Sequence, residues 1–272
     1  MKKVKIIAEI GINHNGDVEL AKKIIAASAA AGCDYVKFQK RNPDICVPED
    51  QKSKIRSTPW GDMTYLDYKK RIEFEEKEYD IIDKFCKDIG INWFASAWDL
   101  SSLKFLRNYS DMVKIPSALI TNKELLINAR KQFNFVLIST GMSTEEEVEN
   151  AVNFCNPDVI FHTNSSYPSK VEDLNLNYIT HLKNKFNKSV GYSGHEFGLV
   201  TTFATVPLGV EWIERHVTLD RELWGSDQKS SVEPSGIYKL VKGIRDIEKS
   251  LGTAGPRKVS HEELEKKKSL RG

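Results

Sequence analysis

The sequence predicts a single-domain (β/α)8 barrel, the TIM-barrel fold of the α/β class, and three observations lead to it. Eight short apolar segments rich in β-branched residues alternate with segments of helical periodicity. The chain has 272 residues, a usual length for one such barrel. No Gly-x-Gly-x-x-Gly run follows the first apolar segment, which disfavours a doubly wound open sheet.

The first βα unit shows the pattern most clearly. Residues 4–10 form a short β-branched strand, and residues 11–16 make a turn rich in Gly and Asn. Asp17 is placed to cap a helix whose apolar residues recur at spacings of three and four, and Gly32 ends it. The predicted strands span residues 4–10, 34–39, 92–95, 112–115, 135–138, 158–161, 188–190 and 210–213.

The segments between the strands predict the helices and one long loop. Residues 40–68 are rich in Pro, Asp, Ser and Lys without clear periodicity, and long loops inside compact domains are usually functional. Ser143 with Glu146 predicts a capping box at a helix start. Helices are also expected over residues 73–88, 100–106, 122–131 and 235–251. The barrel domain is therefore assigned to residues 1–254, and residues 255–272 to a charged C-terminal tail.

Composition narrows the possible partners and location. Forty Lys plus Arg against 38 Asp plus Glu give a net charge of +2, which predicts neither a nucleic-acid nor a membrane partner. No apolar run reaches transmembrane length and no signal-peptide core follows the first residues, so we expect a cytoplasmic protein. The four cysteines are scattered without Cys-x-x-Cys spacing, which predicts free thiols.

Polar residues gather where the predicted strands end. The carboxyl ends of barrel strands meet at one mouth, where the active sites of such barrels lie. Because the strand interiors are apolar, buried polar ends would be costly unless they satisfy one another or a ligand. These residues are Glu9, Asn13, His14, Lys37, Gln39, Ser96, Asp99, Lys114, Ser117, Ser139, Thr140, Asn164, Ser165, Tyr167, Ser193, His195, Glu214, His216 and Asp227.

Two lysines predict an anionic ligand. Lys37 and Lys114 end apolar strands and should point into the mouth, where they would bind phosphate or carboxylate. Hydroxyl groups could donate further hydrogen bonds to such a ligand. The alternative is that both lysines extend to solvent and bind no ligand. The candidate donors are Ser117, Ser139, Ser165 and Ser193.

Two histidines predict a divalent metal. His195 and His216 follow neighbouring predicted strands, and neutral imidazole suits Mn, Zn, Fe and similar ions. Asp227 and Glu9 could add carboxylate ligands or a general base. A histidine pair alone is a weak signal, so two unrelated residues at strand ends remain the alternative.

Other polar residues allow two interpretations. Glu214 could accept a hydrogen bond from a substrate or pair with a neighbouring lysine. Asn13 and His14 could hold a substrate or satisfy the backbone of their turn.

Together these motifs resemble the sialic acid (nonulosonic acid) synthase family, the phosphoenolpyruvate-dependent condensing enzymes. Any one motif is weak, but eight in the family's order over nearly the whole chain form a specific pattern. They are AEIGINHNG at residues 8–16, VKFQK at 36–40, KIPS at 114–117, STGMS at 139–143, SYP at 166–168, GYSGHE at 191–196, ERHVTLD at 214–220 and GSD at 225–227.

The resemblance implies a reaction and a cofactor. Phosphoenolpyruvate would condense with an aldose (N-acetylmannosamine, its 6-phosphate or a related sugar) to give a 3-deoxy-2-ulosonic acid and phosphate. His195 and His216 match the family's ligands for Mn or Mg. A homodimer is also implied.

Roles for individual side chains follow by the same matching. Residues that match phosphoenolpyruvate ligands are Lys37, Lys114, Ser117, Ser139, Ser165 and Ser193. Catalytic roles fall on Glu9, Lys37, Lys114, Tyr167, Glu214 and Asp227, and sugar contacts on Asn13, Gln39, Tyr167, Glu214 and Asp227.

The sequence departs from the family pattern in three places. Members usually carry a C-terminal antifreeze-like domain, and residues 255–272 resemble the start of the linker to it. A recognition element for an N-acyl group is therefore in question. Pro116 replaces a usual glycine, and Gln228 replaces a usual histidine. Neither change removes a predicted metal ligand or lysine.

Two other functions fit some of these features. A metal-free aldolase could form a Schiff base through Lys37 or Lys114 with pyruvate. A barrel that only binds ligands is the non-enzymatic alternative, and the intact set of His, Lys and Ser residues argues against it.

Overall fold

Eight parallel strands close into a barrel in this computed structural model, which describes residues 3–271. Neighbours around the barrel run in the order β1, β10, β9, β8, β7, β6, β5 and β2, and β2 pairs with β1 to close it. This confirms the predicted fold class. The strands are β1 (Lys5–Gly11), β2 (Tyr35–Lys40), β5 (Asn92–Ala97), β6 (Met112–Ile115), β7 (Phe135–Ser139), β8 (Val159–Thr163), β9 (Ser189–Gly194) and β10 (Trp212–His216), with β3 (Ile55–Thr58) and β4 (Gly61–Thr64) forming a separate antiparallel hairpin.

Helices pack around the barrel with their apolar faces inward. In the first, Asp17 accepts hydrogen bonds from the N–H groups of Glu19 and Leu20, and Gly32 ends the helix at a φ of 89°, as predicted. The helices are α1 (Val18–Ala31), α2 (Pro43–Cys46), α3 (Glu49–Lys52), α4 (Tyr65–Ile72), α5 (Glu76–Ile89), α6 (Leu100–Leu106), α7 (Lys123–Gln132), α8 (Glu145–Cys155), α9 (Tyr178–Phe186), α10 (Val200–Thr205), α11 (Pro234–Ser250) and α12 (His261–Arg271).

Large side chains fill the barrel interior below the mouth. An apolar cluster there includes Ile7, Phe94, Leu137 and Phe161, all fully buried. A Cβ on Gly191 would lie 2.5 Å from the Phe161 ring, so only glycine fits beside it. The interior is thus closed, and space for a ligand remains at the carboxyl ends of the strands.

The segment after β2 is more ordered than the sequence predicted. Residues 40–68 contain α2, α3, the β3–β4 hairpin and the start of α4, where we expected a loop. These elements are short and mostly exposed, so they carry no apolar periodicity that a sequence pattern could reveal.

Some predicted helix starts were wrong by a few residues. The capping box of α8 uses Thr144 and Glu147, not Ser143 and Glu146, because the Ser143 hydroxyl donates to the Gly141 carbonyl instead. Helix α5 begins at Glu76 rather than at residue 73.

The last described segment packs little. Helix α12 has no buried residue. Of the helices within residues 3–271, none combines the length and apolar character needed to cross a bilayer.

Candidate active site

Strand register brings the predicted groups together. Glu9 on β1 lies between Lys37 on β2 and His216 on β10 in the parallel pairing, and Glu214 is paired with Ser193 on β9. Side chains at matched positions of neighbouring strands share a face, so these four strands direct acids, a lysine and a histidine to one point.

The resulting cavity has a volume of about 250 Å³. Of the residues given a catalytic, binding or metal role, all but Asn13 and Asp227 line it, whereas the strand-end residues His14, Asp99, Thr140 and Asn164 do not. Those lining residues are Glu9, Lys37, Gln39, Lys114, Ser117, Ser139, Ser165, Tyr167, Ser193, His195, Glu214 and His216.

Both lysines are paired with carboxylates. Lys37 Nζ lies 2.7 Å from Glu9 Oε2 and 3.7 Å from Glu214 Oε1, and it donates to Ser96 Oγ at 2.9 Å. Lys114 Nζ donates to both Glu214 oxygens at 2.9 Å. The four charged side chains are at most 4 % exposed. They form a buried row of alternating charge, Glu9–Lys37–Glu214–Lys114, whose formal sum is zero.

The row separates the pKa values of its members. Burial raises the pKa of Glu9 despite the neighbouring Lys37. Burial acts in the same direction on Glu214, but Lys114 and Lys37 outweigh it and lower the pKa to about 2. Burial lowers the pKa of Lys114 to about 8, whereas the two carboxylates outweigh burial at Lys37 and raise its pKa. Glu214 is therefore a fixed anion, and Glu9 is the better suited of the two to exchange a proton.

Hydroxyl groups converge beside Lys114 at Gly141. The Gly141 N–H donates to Ser117 Oγ at 3.1 Å. A Cβ on Gly141 would lie 2.1 Å from Ser165 Oγ and 2.8 Å from Ser117 Oγ. Glycine here lets two hydroxyls meet the backbone, and Ser139 and Ser193 line the same cavity. We call Gly141, Ser117 and Ser165 the hydroxyl cradle. Such a group of donors suits an oxyanion.

The two histidines face each other at the other side of the cavity. Their ring centroids are 5.3 Å apart. The Tyr167 ring stacks on His195 at 4.0 Å and meets His216 edge-on at 5.8 Å. His195 Nδ1 contacts the Asn164 carbonyl at 2.6 Å, and burial lowers its pKa to about 3. His195 is thus neutral, its Nδ1 carries the proton, and Nε2 keeps a free lone pair.

The pair fits a divalent metal in two respects. His216 Nδ1 is buried and has no hydrogen-bond partner among the residues that the structure describes, and its lone pair could bind a metal ion. The carbonyl bond of His195 is the kind of contact that orients a metal ligand. Within residues 3–271, no group of three or more His, Cys, Asp or Glu is arranged to hold a metal. The two imidazoles would therefore be the protein ligands, and oxygen atoms from solvent or substrate would complete the shell.

Asn13, Asp227 and His14 lie outside the cavity wall. The Asn13 amide donates to the Val217 carbonyl at 2.9 Å and to Ser231 Oγ at 2.8 Å, so it ties β1 to the segment after β10. Asp227 Oδ2 lies 3.7 Å from His216 Nδ1, on the same side of the ring as the nitrogen without a hydrogen bond. His14 stacks on Phe74 at 3.8 Å, and its Nδ1 accepts from the Gly16 N–H, which matches the turn interpretation.

The sequence did not single out several lining residues. Trp98 directly follows β5, and Thr163 is the last residue of β8. Both would have emerged if the strands had been extended to their true ends. Met142 also lines the cavity, at a φ of 60° in the loop after β7; it lies in the STGMS motif, but its apolar side chain was given no role.

The sequence matches one protein family and is similar to known synthases. The model of the NeuB family matches residues 24–255. The chain is 35% identical over 274 residues to an N,N'-diacetyllegionaminic acid synthase of Campylobacter jejuni, which covers 97% of this chain and 81% of that protein. It is 37% identical over 265 residues to an N-acetylneuraminate-9-phosphate synthase of Drosophila melanogaster, covering 94% of this chain and 71% of that protein.

Solved structures extend the comparison to three dimensions. An N-acetylneuraminic acid (sialic acid) synthetase from Leptospira borgpetersenii, crystallised with citrate, superposes with a TM-score of 0.87. It is 34% identical, and the match covers 99% of this chain and 93% of that one. A 3-deoxy-D-arabino-heptulosonate 7-phosphate synthase from Thermotoga maritima, at 15% identity and a TM-score of 0.71, shares the fold.

Proposed function

This chain belongs to the NeuB family of condensing synthases, and we propose that it joins phosphoenolpyruvate to an aldose, giving a 3-deoxy-2-ulosonic acid and phosphate. The observation that carries this proposal is the buried charge row beside the hydroxyl cradle. Two ammonium groups and several hydroxyls face one small cavity, as a ligand with a phosphate and a carboxylate requires.

Phosphoenolpyruvate binding uses donors that the charge row leaves available. An ammonium has three N–H groups, and Lys114 directs hydrogen bonds at the two oxygens of a single carboxylate. Its remaining N–H and the serine hydroxyls can hold the phosphate. Because the row has a formal charge of zero, the negative charge of phosphoenolpyruvate calls for a further cation. A divalent metal at the histidine pair would supply that cation.

The reaction forms one C–C bond and breaks one C–O bond. The double-bond electrons of phosphoenolpyruvate attack the aldehyde carbon, and the aldehyde oxygen takes a proton. Water then adds to the enol-ether carbon and releases a proton. The phosphate leaves with the bridging oxygen, and loss of the hydroxyl proton gives the ketone. Mn or Mg held by His195 and His216 would supply Lewis-acid polarisation of the aldehyde.

The protein's own groups stabilise the charges that develop. Glu214, which stays ionised at a pKa of about 2, would stabilise the positively charged carbon that forms in the cavity. Glu9, whose pKa is raised by burial, can take the proton that water releases. Tyr167 and Gln39 border the cavity on the side of the histidines and would contact the sugar. N-acetylmannosamine, its 6-phosphate and related aldoses are the candidate acceptors.

The test is phosphate release from phosphoenolpyruvate across a panel of aldoses, with Mn and with a chelator. We expect metal-dependent release with at least one aldose and one ulosonic acid formed per phosphate. Lys37→Met should reduce kcat/KM about 100-fold or more, since a buried charge partner of the reacting groups is lost. Lys5→Met is the matched control, because this lysine is about half exposed at the other end of β1. Silence on every aldose with metal present would contradict the proposal, and borohydride trapping with pyruvate would favour the Schiff-base aldolase.

A further inference from the structure

A side chamber of about 440 Å³ adjoins the cavity. The two share Gln39, Trp98 and Tyr167 as a common wall. The outer walls come from the segment after β2 and from the loop after β10, which contributes Ser226 and Asp227. A condensation brings two substrates together, so an acceptor that reacts in the cavity can extend its far end across this wall into the chamber.

Arg41 is a buried cation on the wall of the chamber. Its guanidinium stacks on the Trp98 ring at 4.3 Å and donates to Gln39 Oε1, both shared-wall residues. Its Nε has no hydrogen bond to any described residue, and it lies 3.7 Å from Glu73 Oε2, within ion-pair distance. Glu73 is also engaged by Lys40 at 3.3 Å. Arg41 therefore lines the chamber as a cation whose neighbouring carboxylate is shared with Lys40.

Lys69 is a second cation on the opposite side, on α4. Its ammonium lies 5.3 Å from the Tyr65 ring centroid and 5.1 Å from that of Tyr68. Within the described part of the chain it has no hydrogen bond and no ion pair, whereas the adjacent Lys70 pairs with Asp44 at 2.7 Å. Burial, and then the nearby Arg41, lower the pKa of Lys69 to about 8. An anion in the chamber would restore the interactions that this lysine lacks.

The chamber's one carboxylate among the described lining residues is already engaged. Asp227 Oδ1 accepts from Ser226 Oγ at 2.6 Å, and Oδ2 lies 3.7 Å from His216. The charged lining groups are thus two cations and one acid, in contrast to the balanced charge row of the cavity.

Aromatic contacts hold the chamber walls together. Trp224, in the loop after β10, meets Tyr68 at 5.1 Å and Trp60 of the hairpin at 5.6 Å. The Trp224 carbonyl accepts from Asn15 Nδ2 at 2.8 Å. We call Trp60, Tyr68 and Trp224 the aromatic clasp. It fixes α4, and with it Lys69, opposite Arg41.

We propose that the chamber binds an anionic group at the end of the acceptor remote from its aldehyde, and that Arg41 and Lys69 select a sugar phosphate over the free sugar. This inference rests on the proposed function, because it assigns the acceptor's orientation in that reaction.

Binding of a hexitol 6-phosphate tests the inference without any chemistry, since a hexitol has no aldehyde. Calorimetry on the full chain with Mn and saturating phosphoenolpyruvate keeps the ligand out of the cavity's own phosphate site. We expect the hexitol phosphate to bind at least tenfold more tightly than the hexitol. Lys69→Gln should weaken hexitol phosphate binding about 10- to 100-fold and leave the hexitol unchanged. Lys70→Gln, next to it in the chain, should change neither.

Turnover supplies the second arm. A hexose 6-phosphate, the free hexose and the hexuronate are compared as acceptors, the last carrying a carboxylate at the same carbon. The phosphate ester should have the highest kcat/KM, and Lys69→Gln should raise its KM with little change in kcat or in the KM for phosphoenolpyruvate. If the hexuronate had the higher kcat/KM, the chamber would still bind an anion, but the proposed selection of a phosphate would be wrong.

Failure of the chamber proposal and failure of the synthase proposal give different results in these experiments. Equal binding of hexitol and hexitol phosphate would overturn the inference, as would a Lys69→Gln effect that is the same for both ligands. The synthase proposal would still stand in that case if a free sugar were turned over in a metal-dependent reaction. Tight, Lys69-dependent binding of the hexitol phosphate without phosphate release from any acceptor would support the chamber and contradict the synthase proposal.

Discussion

At the scale of single residues, Gly141 shows how a missing side chain shapes the site. Gly141→Ala would place a methyl group 2.1 Å from Ser165 Oγ and 2.8 Å from Ser117 Oγ, so both hydroxyls must turn away. We expect the KM for phosphoenolpyruvate to rise about 10- to 100-fold, since one or two hydrogen bonds to a charged group are lost. Gly255→Ala is the control, because nothing lies within 4 Å of its added Cβ. An unchanged KM in phosphate-release assays would show that the cradle holds no phosphate.

Lys114 predicts a pH dependence. Its pKa of about 8 means that it is a cation below pH 8 and neutral above it. We therefore expect kcat/KM for phosphoenolpyruvate to fall as pH rises through about 8, because this ratio reports the free enzyme. Lys37 has a raised pKa and stays charged over that range.

The matched variant for this profile is Lys114→Arg. Arginine stays protonated to above pH 12, so the alkaline fall near pH 8 should disappear even if the absolute rate is lower. A profile with the same fall in both proteins would assign the titration to another group.

The sequence identified most of these residues, but it left open whether Glu214 pairs with a lysine and did not predict that Glu9 does. Strand-end position was sufficient to select Lys37, Lys114, Glu9 and Glu214, and all four line the cavity. Both lysines were expected to bind an anionic ligand, but each is also paired with a glutamate. Pairing depends on how β1, β2, β6 and β10 are arranged around the barrel, which brings together residues such as Lys114 and Glu214, 100 positions apart in the chain. Local patterns carry no information on such contacts.

At the scale of elements, a buried network fixes the ends of β9 and β10. Arg215 donates to Thr202 Oγ1 at 2.7 Å and to the Glu196 carbonyl at 2.6 Å, and it lies 3.3 Å from Glu196 Oε1. The other oxygen of Glu196 accepts from the Tyr192 hydroxyl at 2.9 Å. Glu196 follows His195 and Arg215 precedes His216 in the chain. The network therefore fixes the backbone next to both histidines and, through it, the orientation of their rings.

Arg215→Met should therefore destabilise the fold strongly. The Glu196 carboxylate would remain buried without its cation, which costs about 3–5 kcal/mol of unfolding free energy. Arg107→Met is the control, since its partner Asp111 is largely exposed and the pair contributes about 0–1 kcal/mol. Urea midpoints followed by circular dichroism make the comparison. Equal shifts for the two variants would mean that the network adds little.

The aromatic clasp makes a prediction of its own. Trp224→Ala removes the ring that joins the hairpin to α4, so the wall carrying Lys69 should open more often. Hydrogen exchange across residues 55–72 should quicken, while the KM for phosphoenolpyruvate stays near the wild-type value. Unchanged exchange in this segment would show that the wall is held by other contacts.

These elements mark the limit of prediction from the sequence. The strands and α1 follow from apolar periodicity and end signals, because each buries a regular face. The hairpin and helices α2 and α3 present mostly exposed side chains; Trp60 of the hairpin contacts Trp224, far away in sequence, and α2 and α3 contact α4. The chamber they help to enclose was consequently not predicted, although its region was expected to be functional.

At the scale of the whole molecule, the barrel brings a catalytic cavity and a second chamber to one mouth. Phe161 and its neighbours close the interior, and the carboxyl ends of the strands with the loops that follow them supply the charge row, the hydroxyl cradle and the histidine pair. The segment after β2 adds the chamber at the side. One chain thus provides adjoining spaces for two substrates, which is the arrangement that a condensation needs.

The fate of the bridging oxygen of phosphoenolpyruvate tests this reaction most directly. The full chain is incubated with Mn, an aldose or aldose phosphate, and phosphoenolpyruvate carrying ¹⁸O between carbon and phosphorus. Condensation predicts that every phosphate released carries the label and that one ulosonic acid forms with each. Unlabelled phosphate, or labelled phosphate without a ulosonic acid, would contradict it.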